Sequence, residues 1–178
     1  MLRGVNVGGH NKIKMDALRV LYESLKLKCP RTYVQSGNVI FGTNEKNSAT
    51  LAKKIQIAVE RNFGFCPEVI LRTAEEMRAA IAASPFVGRN LEPGKTLVTF
   101  LAREPIASVG EMLRSLKDFP EELHLLGREL YIYFPDGVGK SKLPWSKVDK
   151  LLQTAGTARN WNSVTKMLAI AEEMEREE

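Results

Sequence analysis

Long apolar runs are missing from this 178-residue sequence, and none approaches the roughly 18 residues that a membrane-spanning helix needs. Met1 leads into a short polar-apolar alternation rather than into the basic head and apolar stretch of a signal peptide. Cysteines are limited to Cys29 and Cys66, which is too few for a disulfide framework. We therefore expect two reduced thiols in a cytosolic protein that has no membrane partner.

Histidines are equally scarce, and their scarcity limits the chemistry. His10 and His124 each lie far in sequence from either cysteine, so the ligand spacing of a zinc site is absent. Ser36 stands in Gln-Ser-Gly-Asn rather than in the Gly-x-Ser-x-Gly turn of a serine hydrolase. A pair of Ser36 with His10 stays open as a nucleophilic alternative, although no orienting carboxylate accompanies it. We expect no metal and no cofactor, and we assign no catalytic residue.

The chain has enough apolar material for a sizeable core. Its composition is 44% hydrophobic and 26% charged, which excludes an intrinsically disordered chain. The net charge is +5, and the basic residues are unevenly distributed. Residues 1–60 hold ten basic and four acidic side chains, and residues 140–159 hold five basic and one acidic. These two segments predict an anionic ligand, with a solubilising surface as the alternative.

The elements of the first half follow the order β-α-β-β-α-β, which is typical of a ferredoxin-like unit. The first strand, Leu2 to Val7, starts so early that we expect preceding residues to be missing from the sequence. Apolar residues at helical spacing, turn residues and β-prone runs define the other elements. These are a helix over 15–27, a hairpin of 31–35 and 39–41, a helix over 48–61 capped by Ser48, and a strand over 67–71.

The second half repeats most of this order. A capping box of Thr73 and Glu76 opens a helix over 74–83, and a connector rich in proline and glycine follows over 84–95. The later elements are a strand over 96–102, a helix over 108–117, a hairpin of 123–126 and 129–134, a helix over 144–153, and a last helix from Asn160 or Asn162 to Met174. An extra helix thus stands in place of the final strand.

We therefore predict an α+β fold of two ferredoxin-like units with antiparallel sheets, the second unit ending in an extra helix. The first unit covers residues 1–72, a helix and connector cover 73–95, and the second unit with its C-terminal helix covers 96–178. In such a unit, the loop after the first strand and the hairpin between the second and third strands lie at one end of the sheet. Residues 6–12 and 35–38 are therefore expected close together.

The loop after the first predicted strand has the composition of an anion site. Gly8 and Gly9 let backbone N–H groups face a ligand, and Lys12 and Lys14 stand just before a helix N-terminus. The pattern is neither a Walker loop nor Gly-x-Gly-x-x-Gly. The alternative is that Gly8 and Gly9 only turn the chain and that Gly37 and Asn38 only close the hairpin.

Two further clusters are basic. Lys142 lies with a second lysine and a serine just before a helix start, and Arg159 stands beside Asn160 and Trp161. Arginine suits bidentate contact with a phosphate or a carboxylate. The alternatives are core packing for the tryptophan and helix capping for the asparagine.

Several sequence blocks occur in an order that a known family shares. They are Leu2-Arg3-Gly4-Val5-Asn6-Val7-Gly8-Gly9, Asn11-Lys12, Lys14-Met15, Arg31-Thr32-Tyr33-Val34-Gln35-Ser36-Gly37-Asn38-Val39-Ile40-Phe41, Ser141-Lys142-Leu143 and Thr157-Ala158-Arg159-Asn160-Trp161-Asn162-Ser163-Val164. With these blocks the chain resembles an uncharacterised bacterial family, catalogued as domain of unknown function 1697. The resemblance implies an α+β fold of two ferredoxin-like units and no established activity. It also implies that the basic segments coincide with the signature blocks of the family.

We interpret the sequence as that of a protein that binds a small anionic ligand, a nucleotide or a phosphorylated metabolite, at the Gly-rich basic end of the first sheet. The candidate ligand-binding residues are Arg3, Asn6, Gly8, Gly9, Asn11, Lys12, Lys14, Tyr33, Gln35, Ser36, Gly37, Asn38, Lys142, Arg159, Asn160 and Trp161. The first alternative is an RNA- or single-stranded nucleic-acid-binding module in which Tyr33 stacks on a base. The second is a non-catalytic protein-interaction module that uses the last helix. These residues assign neither a reaction nor an oligomeric state.

Overall fold

A computed structural model describes residues 1–177, and these residues form six α-helices and six β-strands. The helices are α1 (Met15–Ser24), α2 (Ser48–Phe63), α3 (Ala74–Ala82), α4 (Ser108–Arg114), α5 (Trp145–Leu152) and α6 (Trp161–Glu177). The strands are β1 (Lys28–Tyr33), β2 (Asn38–Gly42), β3 (Thr96–Leu101), β4 (Glu122–Leu126), β5 (Glu129–Tyr133) and β6 (Gly156–Asn160). The prediction of an α+β fold with antiparallel sheets is confirmed, and each helix begins within one residue of its predicted start.

The chain forms two compact units. The first contains residues 1–74 together with the part of α6 that starts at residue 167, and the second contains residues 75–166. The first unit holds the two-stranded sheet of β1 and β2, and the second holds a four-stranded sheet in the order β4-β5-β3-β6. Within the described 177 residues, every helix is too short or too polar to traverse a lipid bilayer.

The core of the first unit forms between α1, α2 and the β1-β2 hairpin. Its buried side chains recur at helical spacing along both helices, as the sequence predicts, and they are Leu18, Leu21, Tyr22, Leu51, Ile55 and Val59. The ring of Tyr22 meets the ring of Phe41 edge-on at a centroid distance of 5.3 Å. The cap of α2 is Asn47 rather than Ser48, because the Asn47 side-chain oxygen accepts the N–H of Thr50 at 2.9 Å.

The predicted first strand, Leu2 to Val7, does not form. Leu2 makes an isolated antiparallel bridge with Val69, and this bridge is also the only remnant of the strand predicted over 67–71 in the described chain. After Leu2 the chain curls, because Gly4 and Asn6 have φ angles of +69° and +56°, which a strand does not accommodate. The β-α-β-β-α-β order of the first unit is therefore incomplete.

An ion-pair cluster joins β1 to the end of α6 within the first unit. The Arg31 guanidinium contacts the Glu173 carboxylate at 3.3 Å and also donates to the Glu177 carboxylate. All three side chains are more than a third exposed, so water screens the attraction between them. The cluster therefore adds little to stability.

In the second unit, β3 lies between β5 and β6, and Thr99 stands opposite both Leu130 and Ala158. The strand β6 corrects the prediction that an extra helix replaces the final strand, since both are present and α6 follows β6 directly. The strand packs closely, because a Cβ added at Gly156 would lie 2.8 Å from side-chain atoms of Leu101 and Thr99. The hairpin of β4 and β5, which turns at Gly127, is confirmed.

Both faces of the four-stranded sheet are covered within the second unit. One face packs against α4 and α5, and the buried residues of this core are Leu101, Leu123, Leu130, Ile132, Val109, Leu113, Val148 and Leu152. On the other face, the Tyr131 hydroxyl donates to the Ala80 carbonyl of α3 at 2.7 Å. Phe86 of the connector packs its ring edge-on against His124 on the same face, at a centroid distance of 5.5 Å.

The connector is also held to β4 by charge. Arg89 makes two hydrogen bonds to the Glu122 carboxylate, at 2.8 and 2.9 Å, and His124 Nε2 lies 2.7 Å from the same carboxylate. The Arg89 guanidinium also lies over the Phe86 ring, 5.3 Å from its centroid. The hydrogen bond from Arg89 is the main cause that lowers the pKa of Glu122, and His124 adds to the effect.

We expect Glu122→Gln to lower the free energy of unfolding by about 0.5–1 kcal/mol near neutral pH, the upper range for exposed ion pairs. Because the folded-state pKa of Glu122 is lowered, its contribution is complete above the unfolded-state pKa and is lost as the pH falls through the folded-state pKa. Urea denaturation at neutral and acid pH measures the difference. The exposed Glu104→Gln is the control, and an equal loss from Glu122→Gln at both pH values would contradict the expectation.

Candidate functional site

The predicted proximity of the Gly-rich loop and the hairpin turn is confirmed. We call residues 3–14 the basic loop and residues 34–37 the hairpin turn. The Asn6 side-chain amide donates to the Gln35 carbonyl at 2.8 Å, and the Leu2 N–H donates to the Gly37 carbonyl at 2.9 Å. Two hydrogen bonds therefore attach the chain at the start of the basic loop to the hairpin turn.

The Asn6 side chain holds the basic loop together through hydrogen bonds. Besides its bond to the hairpin turn, its Nδ2 donates to the Ile13 carbonyl at 3.0 Å, and its Oδ1 accepts the Ile13 N–H at 2.9 Å. Asn11 supports the same loop, since its Nδ2 donates to the Gly4 carbonyl at 3.1 Å. Both asparagines have positive φ angles, which asparagine adopts more readily than most residues. The two side-chain amides hold the loop in shape.

Gly8 and Gly9 form the tip of the basic loop. Their φ angles are +58° and +81°, and the His10 N–H donates to the Val7 carbonyl at 3.0 Å, as in a tight two-residue hairpin turn. The expectation that the glycines turn the chain is thus met. Within residues 1–177, no acceptor takes the N–H group of either glycine, so both stay free for a ligand.

The basic loop contains three exposed cations. Arg3, Lys12 and Lys14 are exposed, and none of them makes an ion pair with another residue of the described range 1–177. Lys14 is also the N-cap residue of α1, and its side chain makes no capping hydrogen bond to the first N–H groups of the helix. Asp16 in the first helical turn is the nearby acid that partly offsets this positive charge.

The hairpin turn depends on two buried residues that the sequence places among the ligand contacts. Asn38 is fully buried, and its side-chain amide donates to the Tyr33 carbonyl at 3.2 Å and to Ser36 Oγ at 3.0 Å. Gly37 has a φ of +73° and lies so close to the chain that a Cβ would come within 3.0 Å of the Leu2 Cβ. Both residues build the turn and do not present a group at the surface.

Val34 is a feature of the site that the sequence does not indicate. Its φ is +48°, and it is the one β-branched residue with a positive φ in the part of the chain that the structure describes. Such a conformation costs about 1–3 kcal/mol and is typical of functional sites. Val34 is 47% exposed and Val7 of the loop tip is 63% exposed, so an apolar surface accompanies the cations. A β-branched residue favours a strand, and for this reason the sequence predicts β1 to reach residue 35.

The nucleophilic pair that the sequence left open does not form. The His10 side chain has no hydrogen-bond partner among residues 1–177, whereas Ser36 Oγ accepts the Asn38 amide. Partial desolvation, followed by the nearby Glu60 carboxylate, raises the pKa of the Cys66 thiol, although the residue is exposed, and this favours the protonated thiol. Among the described 177 residues, no three His, Cys, Asp or Glu side chains are grouped closely enough to hold a metal ion.

The remaining candidate residues belong to the second unit. Arg159 is buried, and its guanidinium donates to Thr157 Oγ1 at 2.6 Å and to the Ala158 carbonyl at 2.8 Å. Burial lowers the pKa of Arg159 to about 10. The Asn160 side-chain oxygen accepts the N–H of Asn162 at 3.0 Å, so the capping role is confirmed. These two hydrogen bonds of Arg159 thus stay within β6, and the Asn160 side chain caps the start of α6.

Lys142 and Trp161 differ in exposure. Lys142 is exposed in the segment that leads into α5, and it makes no ion pair within residues 1–177. Trp161 is the first residue of α6 and is half-buried. Lys142 therefore keeps a free charge, whereas Trp161 contributes partly to packing.

Comparison with known proteins agrees with this architecture. The profile of a family of proteins of unknown function, DUF1697, matches residues 1–131, which include the basic loop and the hairpin turn. No curated protein matches the chain by sequence. The solved structure of a conserved bacterial protein, SP0830 from Streptococcus pneumoniae, is similar with a TM-score of 0.70 and 24% identity, over 97% of this chain and 96% of that chain. At that identity the likeness shows a shared fold. Because the family profile covers well over half of the sequence, the chain belongs to the DUF1697 family.

Proposed function

We propose that the first unit binds a small anionic ligand, a nucleotide or a phosphorylated metabolite, on the basic loop. The observation that carries the proposal is that Arg3, Lys12 and Lys14 all lack an acidic partner within residues 1–177. The hydrogen bond from the Asn11 side chain to the Gly4 carbonyl brings the chain at Arg3 close to the chain at Lys12, because Arg3 precedes Gly4 and Lys12 follows Asn11. Unpaired cations that share one loop raise the local concentration of an anion.

The rigidity of the basic loop supports the same proposal. Asn6 joins both ends of the loop and the hairpin turn through three hydrogen bonds of 2.8–3.0 Å. A loop fixed before binding loses little conformational entropy when the ligand arrives. The free N–H groups of Gly8 and Gly9 and the uncapped start of α1 add donors of the kind that bind phosphate oxygens. Tyr33 is half-buried beside the hairpin turn, and its carbonyl accepts the hydrogen bond from the Asn38 side chain.

We also infer that the second unit is a ferredoxin-like unit. Its elements follow the order β3-α4-β4-β5-α5-β6, and its strands are arranged as β4-β5-β3-β6. The β-α-β-β-α-β order of that fold supports the inference. A cytosolic location is part of the proposal, and it is supported by Cys29 and Cys66, which are both unpaired and exposed.

We expect nucleotides or phosphorylated metabolites to raise the thermal unfolding midpoint of the protein at low salt. A ligand present at about one hundred times its Kd adds about 2.7 kcal/mol to the free energy of unfolding. The variant Lys12→Ala/Lys14→Ala is expected to bind the same ligand at least about tenfold more weakly, since each charged hydrogen bond adds about 1.5–3 kcal/mol. Isothermal titration calorimetry on the ligands found by the thermal screen measures both affinities.

The matched control is Lys28→Ala/Lys46→Ala, which removes two exposed lysines of the first unit outside the basic loop. This control is expected to bind as the unaltered protein does. Equal affinity in all three proteins, or no midpoint shift with any anion, would contradict the proposal. Salt dependence identifies the ligand size, because one small anion gives a shallow slope and a long nucleic acid gives a steep one.

A further inference from the structure

An exposed tryptophan in the second unit stands next to lysines that have no acidic partner. Trp145, the first residue of α5, keeps 39% of its surface exposed. Its ring stacks on the buried Phe134 ring, with centroids 6.1 Å apart and planes inclined by 28°. Trp145 therefore packs on the core through Phe134 and still leaves part of its side chain accessible to solvent.

Lysines precede this tryptophan along a segment with a defined path. Lys140 and Lys142 are exposed and make no ion pair within residues 1–177. The Leu143 N–H donates to Ser141 Oγ at 3.1 Å, and the Trp145 N–H donates to the Leu143 carbonyl at 2.8 Å. These bonds fix the course of the chain from the lysines to the indole. Residues 136–150 contain four lysines and two aspartates, so the segment is positive overall.

We propose that Trp145, Lys140 and Lys142 form a surface that binds single-stranded nucleic acid. A base stacks on the exposed part of the indole, and the two lysines contact phosphates of the same strand. Proteins that bind single strands without sequence preference combine aromatic platforms with cations that follow the backbone in this way. This surface belongs to the second unit, whereas the basic loop belongs to the first.

The composition of the surface favours a nucleic acid over a protein partner. Lysine is depleted in protein–protein interfaces, because its ammonium group is costly to desolvate. Two lysines separated by the single residue Ser141 suit the repeated phosphates of a strand. Asp149, one helical turn after Trp145, is exposed and has no ion pair among residues 1–177, so it opposes a phosphate there. Neutralising Asp149 is therefore expected to tighten binding.

The test is a titration of the full chain at low salt with an oligouridylate of about twelve nucleotides, within the range of single-strand site sizes. Tryptophan fluorescence reports stacking, and binding of the oligonucleotide is expected to quench it. Trp145→Leu is expected to weaken binding about tenfold and to remove most of the quenching, whereas Trp145→Phe retains much of the affinity. Far-ultraviolet circular dichroism confirms that each variant is folded, and the comparison of phenylalanine with leucine separates stacking from packing.

Charge is tested in the same titration. Lys140→Ala/Lys142→Ala is expected to reduce the slope of log affinity against log salt by about 1.4, since each contacted phosphate of a single strand contributes about 0.7. The control Lys117→Ala/Lys166→Ala removes two other exposed lysines of the second unit and is expected to leave the slope unchanged. Asp149→Asn is expected to raise the affinity about twofold.

Four results would overturn the proposal. The first is no binding of the oligonucleotide, and the second is equal affinity of Trp145→Leu and Trp145→Phe. The third is an equal loss in both double-lysine variants, which would indicate attraction by the overall charge. The fourth is saturation by uridine monophosphate at the same concentration, which would indicate a mononucleotide pocket.

Discussion

Gly37→Ala is expected to lower the free energy of unfolding by about 2–4 kcal/mol, the sum of backbone strain and crowding. The φ of Gly37 is +73°, a conformation that costs alanine about 1 kcal/mol or more. The added Cβ would lie 3.0 Å from the Leu2 Cβ and 3.2 Å from the Val5 Cβ, and both neighbours are buried in the core. Urea denaturation measures the loss as a lower midpoint at an unchanged slope.

A matched glycine separates the two causes. Gly9 has a φ of +81°, and a Cβ added there would meet no atom within 4 Å. Gly9→Ala is therefore expected to cost only the backbone term, about 1 kcal/mol. If Gly37→Ala proved no more destabilising than Gly9→Ala, the close approach of the hairpin turn to Leu2 and Val5 would be refuted.

Asn6→Ala is expected to be the second large effect, at about 2–4 kcal/mol. The substitution removes three hydrogen bonds, each of which adds about 0.5–1.5 kcal/mol. It also leaves alanine at a φ of +56°, where asparagine is better tolerated. Without the bond to Gln35, the basic loop is held less tightly to the hairpin turn. We therefore expect both the anion affinity of the first unit and the midpoint of urea denaturation to fall.

Two further variants assign this loss to the side chain. Asn6→Gly accepts the positive φ without strain, so any remaining loss measures the missing amide. Asn11→Ala removes a single side-chain hydrogen bond, the one to the Gly4 carbonyl, and is expected to cost less than Asn6→Ala. Full stability in Asn6→Gly would mean that the amide does not brace the loop.

Most of the helical structure follows from the sequence because periodic burial determines it. The faces of α1 and α2 carry apolar residues at helical spacing, and this periodicity predicts where both helices begin, although the cap of α2 is Asn47 and not the predicted Ser48. The proximity of the basic loop to the hairpin turn is predicted as well, although the first strand on which that prediction rests does not form, and the Leu2 N–H bond to the Gly37 carbonyl helps to hold the two together instead. The Asn6 contact with Gln35 confirms it.

The elements that the sequence does not predict depend on contacts between distant residues. The strand β6 contains Gly156, Ala158 and Asn160, which have low strand propensity, and it forms because β3 offers a free edge for pairing. The absence of a strand from Leu2 to Val7 results from side-chain hydrogen bonds that favour a left-handed backbone at Asn6. The conformation of Val34 opposes its own preference, so no local rule predicts it.

The ion pairs of Arg31 with α6 have a consequence for the order in which the protein is made. Arg31 and Glu177 are 146 residues apart, and the whole of the second unit lies between them. On the ribosome, residues 75–166 therefore emerge before the helical turns that complete the first unit. Domains fold as units during synthesis, so the second unit is able to reach its final form first. Of the two units, the first begins to be synthesised before the second and is completed after it.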